Sequence, residues 1–143
     1  MLKGISKIVS PELIKALCEM GHGDEIVIAD GNFPSATFGK RVIRADGISG
    51  EAMLNAVLSL VPLDTYSDPN FVLMRLMACD EGKIDPTIWK GYREIAERND
   101  KNVKIGFMDR FAFYERAQNA YAVIATGEEA VYANIILKKG VIK

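Results

Sequence analysis

The chain has 143 residues, 49% of them hydrophobic, which is enough to build one domain with a core of its own. Lys and Arg number 18 and Asp and Glu 19, and the formal net charge of −1 argues against a nucleic-acid partner. The chain has neither the apolar segment of a signal peptide nor an apolar run of roughly 18 residues, the length a membrane helix needs. We therefore expect a soluble cytoplasmic protein without a membrane partner. Its two cysteines, Cys18 and Cys79, each lie in an apolar run, which favours buried free thiols over a disulfide.

Helices and strands alternate along the first half of the chain. Ser10 is a favourable N-cap and Pro11 fits the first helical position, so a helix is expected to begin there and to stop at Gly21. The continuous apolar run over 26–29 predicts a strand buried on both faces, ending at Asp30. We further expect a loop over 33–39, a short strand over 41–44, and a helix over 49–60 that Pro62 closes.

The second half continues this alternation. Asp85 and Pro86 suit the cap and first turn of a helix that runs through Trp89 and Tyr92. Strands are expected over 71–78, 103–107, 121–126 and 131–137, with a short helix around Arg110. The pattern predicts an α/β fold in which residues 1–143 form a single compact domain, with a central, mostly parallel sheet flanked by helices.

The stretch Asp109–Gln118 (DRFAFYERAQ) combines bulky apolar side chains with strong hydrogen-bonding groups. Arginine supplies a rigid fork of donors, and tyrosine carries a hydroxyl on a stiff apolar stem. Such a mixture suits a pocket that binds hydroxyl groups. The alternative is an ordinary amphipathic helix with Phe111 and Phe113 in the core and Arg116 in water.

The only histidine, His22, lies between two glycines, and Asp30 follows the next predicted strand. Histidine exchanges protons near neutral pH, and ligands of open α/β sheets bind at the carboxyl ends of strands. Each residue also has a purely structural explanation, since both positions suit turns. A strand of about six residues, roughly 20 Å long, separates them. They can share a site only if the backbone bends or a second subunit contributes.

Tyr132, Ala133 and Asn134 fall in the last predicted strand, where Tyr132 and Asn134 would share one face. A buried Asn134 amide would need partners, which sugar hydroxyls could supply, whereas an exposed edge strand would leave this face in water. The sequence contains no phosphate loop, dinucleotide fingerprint or typical zinc-ligand set. We therefore expect neither a cofactor nor a metal.

Six segments together make the chain similar to the family of L-fucose mutarotases and D-ribose pyranases. They occur in the family's order and at fitting spacing over nearly the whole chain, and the fifth segment resembles the fucose branch more than the ribose branch. The segments are SPEL at 10–13, GHGDE at 21–25, Asp30 with Phe33-Pro34, VIRADG at 42–47, RFAFYERAQ at 110–118 and YANIILKKG at 132–140.

This resemblance implies an isomerase that interconverts the α and β anomers of a free monosaccharide, with L-fucose as the expected sugar. It implies that His22 is the proton donor and that Tyr114 takes part in catalysis. Asp30, Arg110 and the Tyr132-Ala133-Asn134 segment would bind the sugar. The family also implies a ring-like homo-oligomer, probably a decamer, with sites near subunit contacts. Asn32 stands where some members of the fucose branch carry histidine.

Two other functions remain open from the sequence. One is a D-ribose pyranase, which interconverts pyranose and furanose forms, because the residues do not reveal the shape of the pocket. The other is a non-catalytic sugar-binding accessory protein, because the same groups that bind a sugar need not turn it over.

Overall fold

The computed structural model describes residues 1–143, with five helices and six strands. The helices are α1 (Pro11–Glu19), α2 (Ser35–Phe38), α3 (Gly50–Leu58), α4 (Ile88–Asn99) and α5 (Arg110–Asn119). The strands are β1 (Glu25–Ala29), β2 (Val42–Ala45), β3 (Phe71–Met74), β4 (Ile105–Met108), β5 (Ala122–Thr126) and β6 (Ile135–Lys138).

All six strands form one sheet in the order β2-β5-β1-β6-β3-β4. Five of them run in the same direction, and only β6 is antiparallel to its neighbours β1 and β3. The expected mostly parallel sheet is therefore confirmed, with one reversed strand inside it. Because β6 is reversed, the residues that precede it lie at the same edge as the carboxyl ends of β1 and β3.

Helices cover both faces of the sheet, as the sequence predicts. Alternate residues of β1 point to opposite faces: Ile26 and Ile28 join a core of 24 buried residues that includes α1, α3 and α4. Val27 and Ala29 join a smaller core of 10 buried residues that includes α5. The thinner layer on the α5 side leaves space for a pocket between that helix and the sheet edge.

The first helix begins as predicted, whereas the start of α4 differs. The Ser10 hydroxyl accepts a hydrogen bond from the Leu13 amide at 3.1 Å, which caps α1. Helix α1 ends at Glu19, so the stop comes before Gly21. Helix α4 begins at Ile88 and has no side-chain cap. The prediction that Asp85 caps it was therefore wrong; the residues before it form turns instead.

Several predicted elements are shorter in the structure. The loop expected over 33–39 contains the one-turn helix α2. Strand β3, expected over 71–78, ends at Met74, because its neighbour β6 extends only to Ile135 at that edge. The strand expected from residue 131 begins at Ile135, because Tyr132 has a positive φ of 57° that no strand accommodates. Cys18 and Cys79 are both free but exposed, so the prediction of buried thiols was wrong.

The buried phenol of Tyr92 offers a test of how α4 supports the chain before β6. Tyr92 is 0% exposed, and its hydroxyl donates to the Ala133 carbonyl at 3.0 Å. We expect Tyr92→Phe to lower the free energy of unfolding by about 1–3 kcal/mol, since a buried carbonyl loses its donor. Urea unfolding measures this. Tyr66→Phe is the control, because Tyr66 is 70% exposed, and equal loss in both variants would contradict the prediction.

Candidate active site

A small pocket lies at the sheet edge where β1 and β3 end and β6 begins. Its volume is about 190 Å³, which suits a ligand smaller than the drug-sized molecules that fill about 300–1,000 Å³. We call it the Asp30 pocket; it is lined by Asp30, Asn32, Phe33, Met74, Arg110, Tyr114, Val131, Tyr132 and Asn134. Every predicted site residue except His22 and Ala133 therefore lines one pocket.

Strand register explains why residues far apart in sequence meet here. Ile28 of β1 pairs with Ile135 of β6 in antiparallel register, so Asp30 and Ala133, two positions further along each chain segment, face each other beyond the strand ends. The Asp30 amide donates to Asn134 Oδ1 at 2.8 Å, and Asn134 Nδ2 donates to Asp30 Oδ2 at 2.9 Å. This reciprocal pair fixes both side chains.

Asp30 is a buried carboxylate, 4% exposed, without a cationic partner. It accepts hydrogen bonds from the Asn32 amide at 3.0 Å, from the Ala133 amide at 3.3 Å and from the Asn134 side chain. Burial raises the pKa of Asp30, and these hydrogen bonds oppose the shift without cancelling it. The result is a carboxylate that is held in place and is more basic than one in water.

Arg110 and Tyr114 lie one turn apart on α5 and form the outer wall of the pocket. Arg110 Nε donates to the Tyr114 hydroxyl at 2.9 Å, and this bond is the main reason that the pKa of Arg110 is raised. The Tyr114 ring stacks on Phe38 with centroids 4.8 Å apart and meets the edge of Phe33 at 5.4 Å. Nη1 lies 3.5 Å from Met77 Sδ, and the Nη2 donors of the guanidinium are free for a ligand.

Each of the two interpretations of α5 from the sequence, a hydroxyl-binding segment and an ordinary amphipathic helix, is partly correct. Phe113 is 0% exposed and belongs to the core, whereas Phe111 is 69% exposed. Arg116 lies half-buried and forms a bidentate pair with Glu25, with Nε 2.9 Å from Glu25 Oε2. The helix therefore has a core face, but Arg110 and Tyr114 lie beside that face and point their polar groups into the pocket.

The Tyr132-Ala133-Asn134 segment is a loop whose first and last residues line the pocket, and the prediction that it belongs to the last strand was wrong. Trp89 Nε1 donates to the Tyr132 carbonyl at 2.8 Å, and the Tyr92 hydroxyl donates to the Ala133 carbonyl at 3.0 Å. These two bonds from α4 hold the backbone where Tyr132 adopts its left-handed conformation. Tyr132 and Asn134 line the same pocket because of this bend.

His22 lies apart from the Asp30 pocket, at the other end of β1. The five residues of that strand span roughly 17 Å. His22 lines a second, larger cleft of about 480 Å³, which we call the His22 cleft, together with Leu17, Cys18, Leu60, Val61, Ile142 and other residues at 14, 62 and 139–141. Within one chain, therefore, the predicted proton donor and the predicted sugar-binding residues do not meet.

Asp64 is a partner of His22 that sequence reasoning missed. His22 Nε2 lies 3.0 Å from Asp64 Oδ1, and the His22 side chain is 46% exposed while that of Asp64 is 4% exposed. Hydrogen bonds from the Ser67 hydroxyl first, and from His22 next, lower the pKa of Asp64 to about 2. The Tyr66 ring lies 5.6 Å from the His22 ring. Asp64 and Ser67 signal a turn in the sequence, but nothing there places the turn beside a residue 42 positions away.

No group of three or more His, Cys, Asp and Glu side chains is arranged to hold a metal ion. None of the helices has both the length and the apolarity that crossing a membrane requires.

Comparison with known proteins identifies the family. Residues 3–142 match the RbsD / FucU transport protein family. The chain belongs to this family, which agrees with the resemblance in the six sequence segments. The match covers the whole α/β domain, including both the Asp30 pocket and His22.

Individual relatives are similar over their full length. The chain is 50% identical to "Fucose mutarotase" of Bos taurus, with 99% of this chain and 95% of the relative covered. A crystal structure of the fucose mutarotase of Streptococcus pneumoniae in complex with L-fucose superposes with a TM-score of 0.92 at 47% identity, covering 99% of this chain and 100% of that one. FucU of Bifidobacterium longum gives a TM-score of 0.94 at 51% identity, with the same coverage.

The low pKa of Asp64 makes a prediction about stability at acid pH. Folding lowers this pKa from 3.8 to about 2, so the ionised carboxylate stabilises the folded state fully above about pH 4, and this contribution is lost as the pH falls to about 2. We expect the free energy of unfolding of Asp64→Asn to fall less steeply than that of the wild type across this interval. Urea unfolding at several pH values measures the slopes. The exposed Asp85→Asn is the control, and parallel slopes for Asp64→Asn and the wild type would contradict the assignment.

Proposed function

We propose that this chain is an L-fucose mutarotase, an isomerase that interconverts the α and β anomers of the free sugar by acid/base-assisted ring opening and closure. The main observation behind this proposal is the Asp30 pocket, where a buried carboxylate, a guanidinium and two phenols line a space of about 190 Å³. The relatives named as fucose mutarotases, at 47% to 50% identity, favour fucose over ribose and turnover over binding alone.

The groups in the pocket supply both halves of sugar recognition. Arg110 offers donors in a rigid fork, and Asp30 keeps acceptor capacity beyond its three hydrogen bonds, since a carboxylate has about four acceptor sites. The rings of Phe33 and Tyr114 form an apolar wall beside these polar groups. A sugar has the same character, with hydroxyl groups around its edge and apolar C–H groups on its faces.

The reaction needs two coordinated proton transfers. Ring opening delivers a proton to the ring oxygen and removes one from the anomeric hydroxyl; closure on the other face of the carbonyl carbon reverses both. Asp30 suits the role of base because burial raises its pKa. Tyr114 suits a relay because its hydroxyl accepts from Arg110 and keeps its own proton to donate. Acid and base assistance of this kind accelerates reactions by about 10²- to 10⁴-fold.

His22 would complete this chemistry from a neighbouring subunit. Its exposed ring, oriented by Asp64, lies at the surface of the chain, and so does Arg110 at the mouth of the Asp30 pocket. In a cytoplasmic ring-like homo-oligomer, for which the family suggests a decamer, the His22 of one subunit would face the Asp30 pocket of the next. Asp64 then acts as a positioning residue that holds one imidazole nitrogen and leaves the other for the substrate.

The first test is the rate of anomer exchange. We expect the wild type to accelerate exchange between the α and β anomeric protons of L-fucose, measured by NMR saturation transfer against a protein-free sample, with D-ribose run in parallel. His22→Ala should lose about 10²-fold or more of this acceleration, because the proton donor is removed. Cys18→Ser is the matched control, since Cys18 lies in the same cleft and has no place in the proposed chemistry.

Each outcome of this experiment separates the candidate functions. Acceleration on ribose alone would move the chain to the pyranase activity, and none on either sugar would leave a binding protein. Full activity in His22→Ala, with circular dichroism unchanged, would remove His22 from the mechanism.

A second test asks whether two subunits share one site. His22→Ala and Arg110→Ala should each be inactive alone. When the two variants are unfolded and refolded together, roughly a quarter of the sites in a randomly mixed ring regain His22 from one subunit and Arg110 from its neighbour. The mixture should therefore recover roughly a quarter of the wild-type rate. No recovery in a mixture that native mass spectrometry, with one variant isotopically labelled, shows to be co-assembled would contradict a site shared by two subunits.

A further inference from the structure

The turn over residues 77–80 lies next to the Asp30 pocket without lining it, and the mechanism above assigns it no role. Its side chains and backbone contact two residues that line the pocket. The Tyr132 hydroxyl donates to Asp80 Oδ2, the Met77 amide donates to the Tyr132 hydroxyl at 3.3 Å, and Arg110 Nη1 lies 3.5 Å from Met77 Sδ.

The carboxylate of Asp80 is not needed to build this turn. The Asp80 amide donates to the Met77 carbonyl at 2.9 Å, and the Asp80 carbonyl accepts from the amides of Lys83 at 3.0 Å and Ile84 at 3.1 Å. The backbone alone therefore closes the turn. An aspartate that stabilises a turn normally accepts a bond from a nearby backbone amide, whereas the hydrogen bond of the Asp80 side chain goes to Tyr132. Asp80 also forms none of the ion pairs within 4 Å.

This contact fixes the hydrogen-bonding polarity of the Tyr132 hydroxyl. A phenol has one proton to donate, and a carboxylate can only accept, so the Tyr132 proton points to Asp80. The Met77 amide occupies part of the acceptor capacity of the same oxygen. What remains for a ligand in the pocket is an acceptor site and no donor.

The position of the Tyr132 side chain also depends on this anchor. Its backbone has a φ of 57°, a conformation that is unfavourable for a non-glycine residue. Trp89 holds the carbonyl end of the residue. Asp80 and Met77 hold the phenol end, so the ring is fixed at both ends before any ligand arrives.

We propose that Asp80 is a positioning residue that sets sugar specificity, because it fixes the Tyr132 hydroxyl as an acceptor for a sugar hydroxyl. The proposal rests on the proposed mutarotase function and adds a residue from outside the pocket lining. Arg110 and Tyr114 present donors to the pocket, whereas Tyr132 and Asp30 present acceptors. A sugar is bound only in orientations in which its hydroxyl groups match this pattern.

A double-mutant cycle tests whether Asp80 acts through Tyr132. We expect Asp80→Ala and Tyr132→Phe each to lower kcat/KM for L-fucose roughly fivefold to tenfold, mainly through KM, the size expected for one hydrogen bond between neutral hydroxyl groups. The double variant should be no worse than Tyr132→Phe, because Asp80 has no role once the hydroxyl is gone. Asp80→Asn keeps an acceptor oxygen and should recover much of the loss. Glu81→Ala, at the exposed neighbouring residue, is the control and should match the wild type.

Sugar analogues provide a readout that mere loss of structure would not change. A fluorine atom that replaces a sugar hydroxyl accepts hydrogen bonds weakly and cannot donate them. If the replaced hydroxyl is the one that donates to Tyr132, the wild type should bind that fluoro-fucose much more weakly than fucose. In Asp80→Ala the phenol is free to rotate and donate, and this discrimination should shrink severalfold, as measured by titration with 2-, 3- and 4-fluoro analogues. Additive losses in the cycle, or discrimination unchanged at all three positions, would overturn the role of Asp80. A wild type inactive on fucose would instead refute the proposed function.

Discussion

The reciprocal pair of Asp30 and Asn134 is the interaction on which the rest of the site depends. It closes the gap between the end of β1 and the start of β6, two segments 104 residues apart. Both side chains are buried, so each would leave an unsatisfied polar group if the other were absent. Every polar side-chain atom that is fully buried in the structure does have a partner. The pair therefore fixes where the chain bends before β6, and this bend places Tyr132 in the pocket.

Most helices and strands could be predicted from the sequence, because their capping residues and hydrophobic patterns are strong local signals. Ser10 caps α1, and the apolar run of β1 is buried on both faces, as continuous hydrophobic strands in parallel sheets are. Prediction failed where tertiary contacts decide the backbone. The segment before β6 has strand-like residues, yet hydrogen bonds from Trp89 and Tyr92 bend it into a loop. No local pattern carries that information, because the donors lie about one third of the chain away.

Five of the nine residues that line the pocket were singled out from the sequence as candidate site residues, whereas the residues that hold them in place were not. The sequence indicates a functional role for Asp30, which follows a buried strand, and for Arg110, which lies in an aromatic segment. Asp64 and Asp80, in contrast, resemble ordinary turn residues. Their roles depend on which side chains the fold brings next to them, His22 for one and Tyr132 for the other. Each is an acidic residue in a loop whose carboxylate fixes the direction of a neighbour's proton. Residues of this kind are found from contacts and not from motifs.

The arrangement of charge within the pocket suits reversible proton transfer. If Arg110 were paired with Asp30, the ion pair would lower the pKa of the carboxylate and occupy the donors of the guanidinium. In the structure Asp30 is bound by amide groups alone, and Arg110 is bound to the Tyr114 phenol. The carboxylate therefore stays basic, the guanidinium keeps free donors, and both are held in place without a ligand. Because these groups are already oriented, a ligand with a matching pattern of donors and acceptors would bind them without the cost of ordering them first.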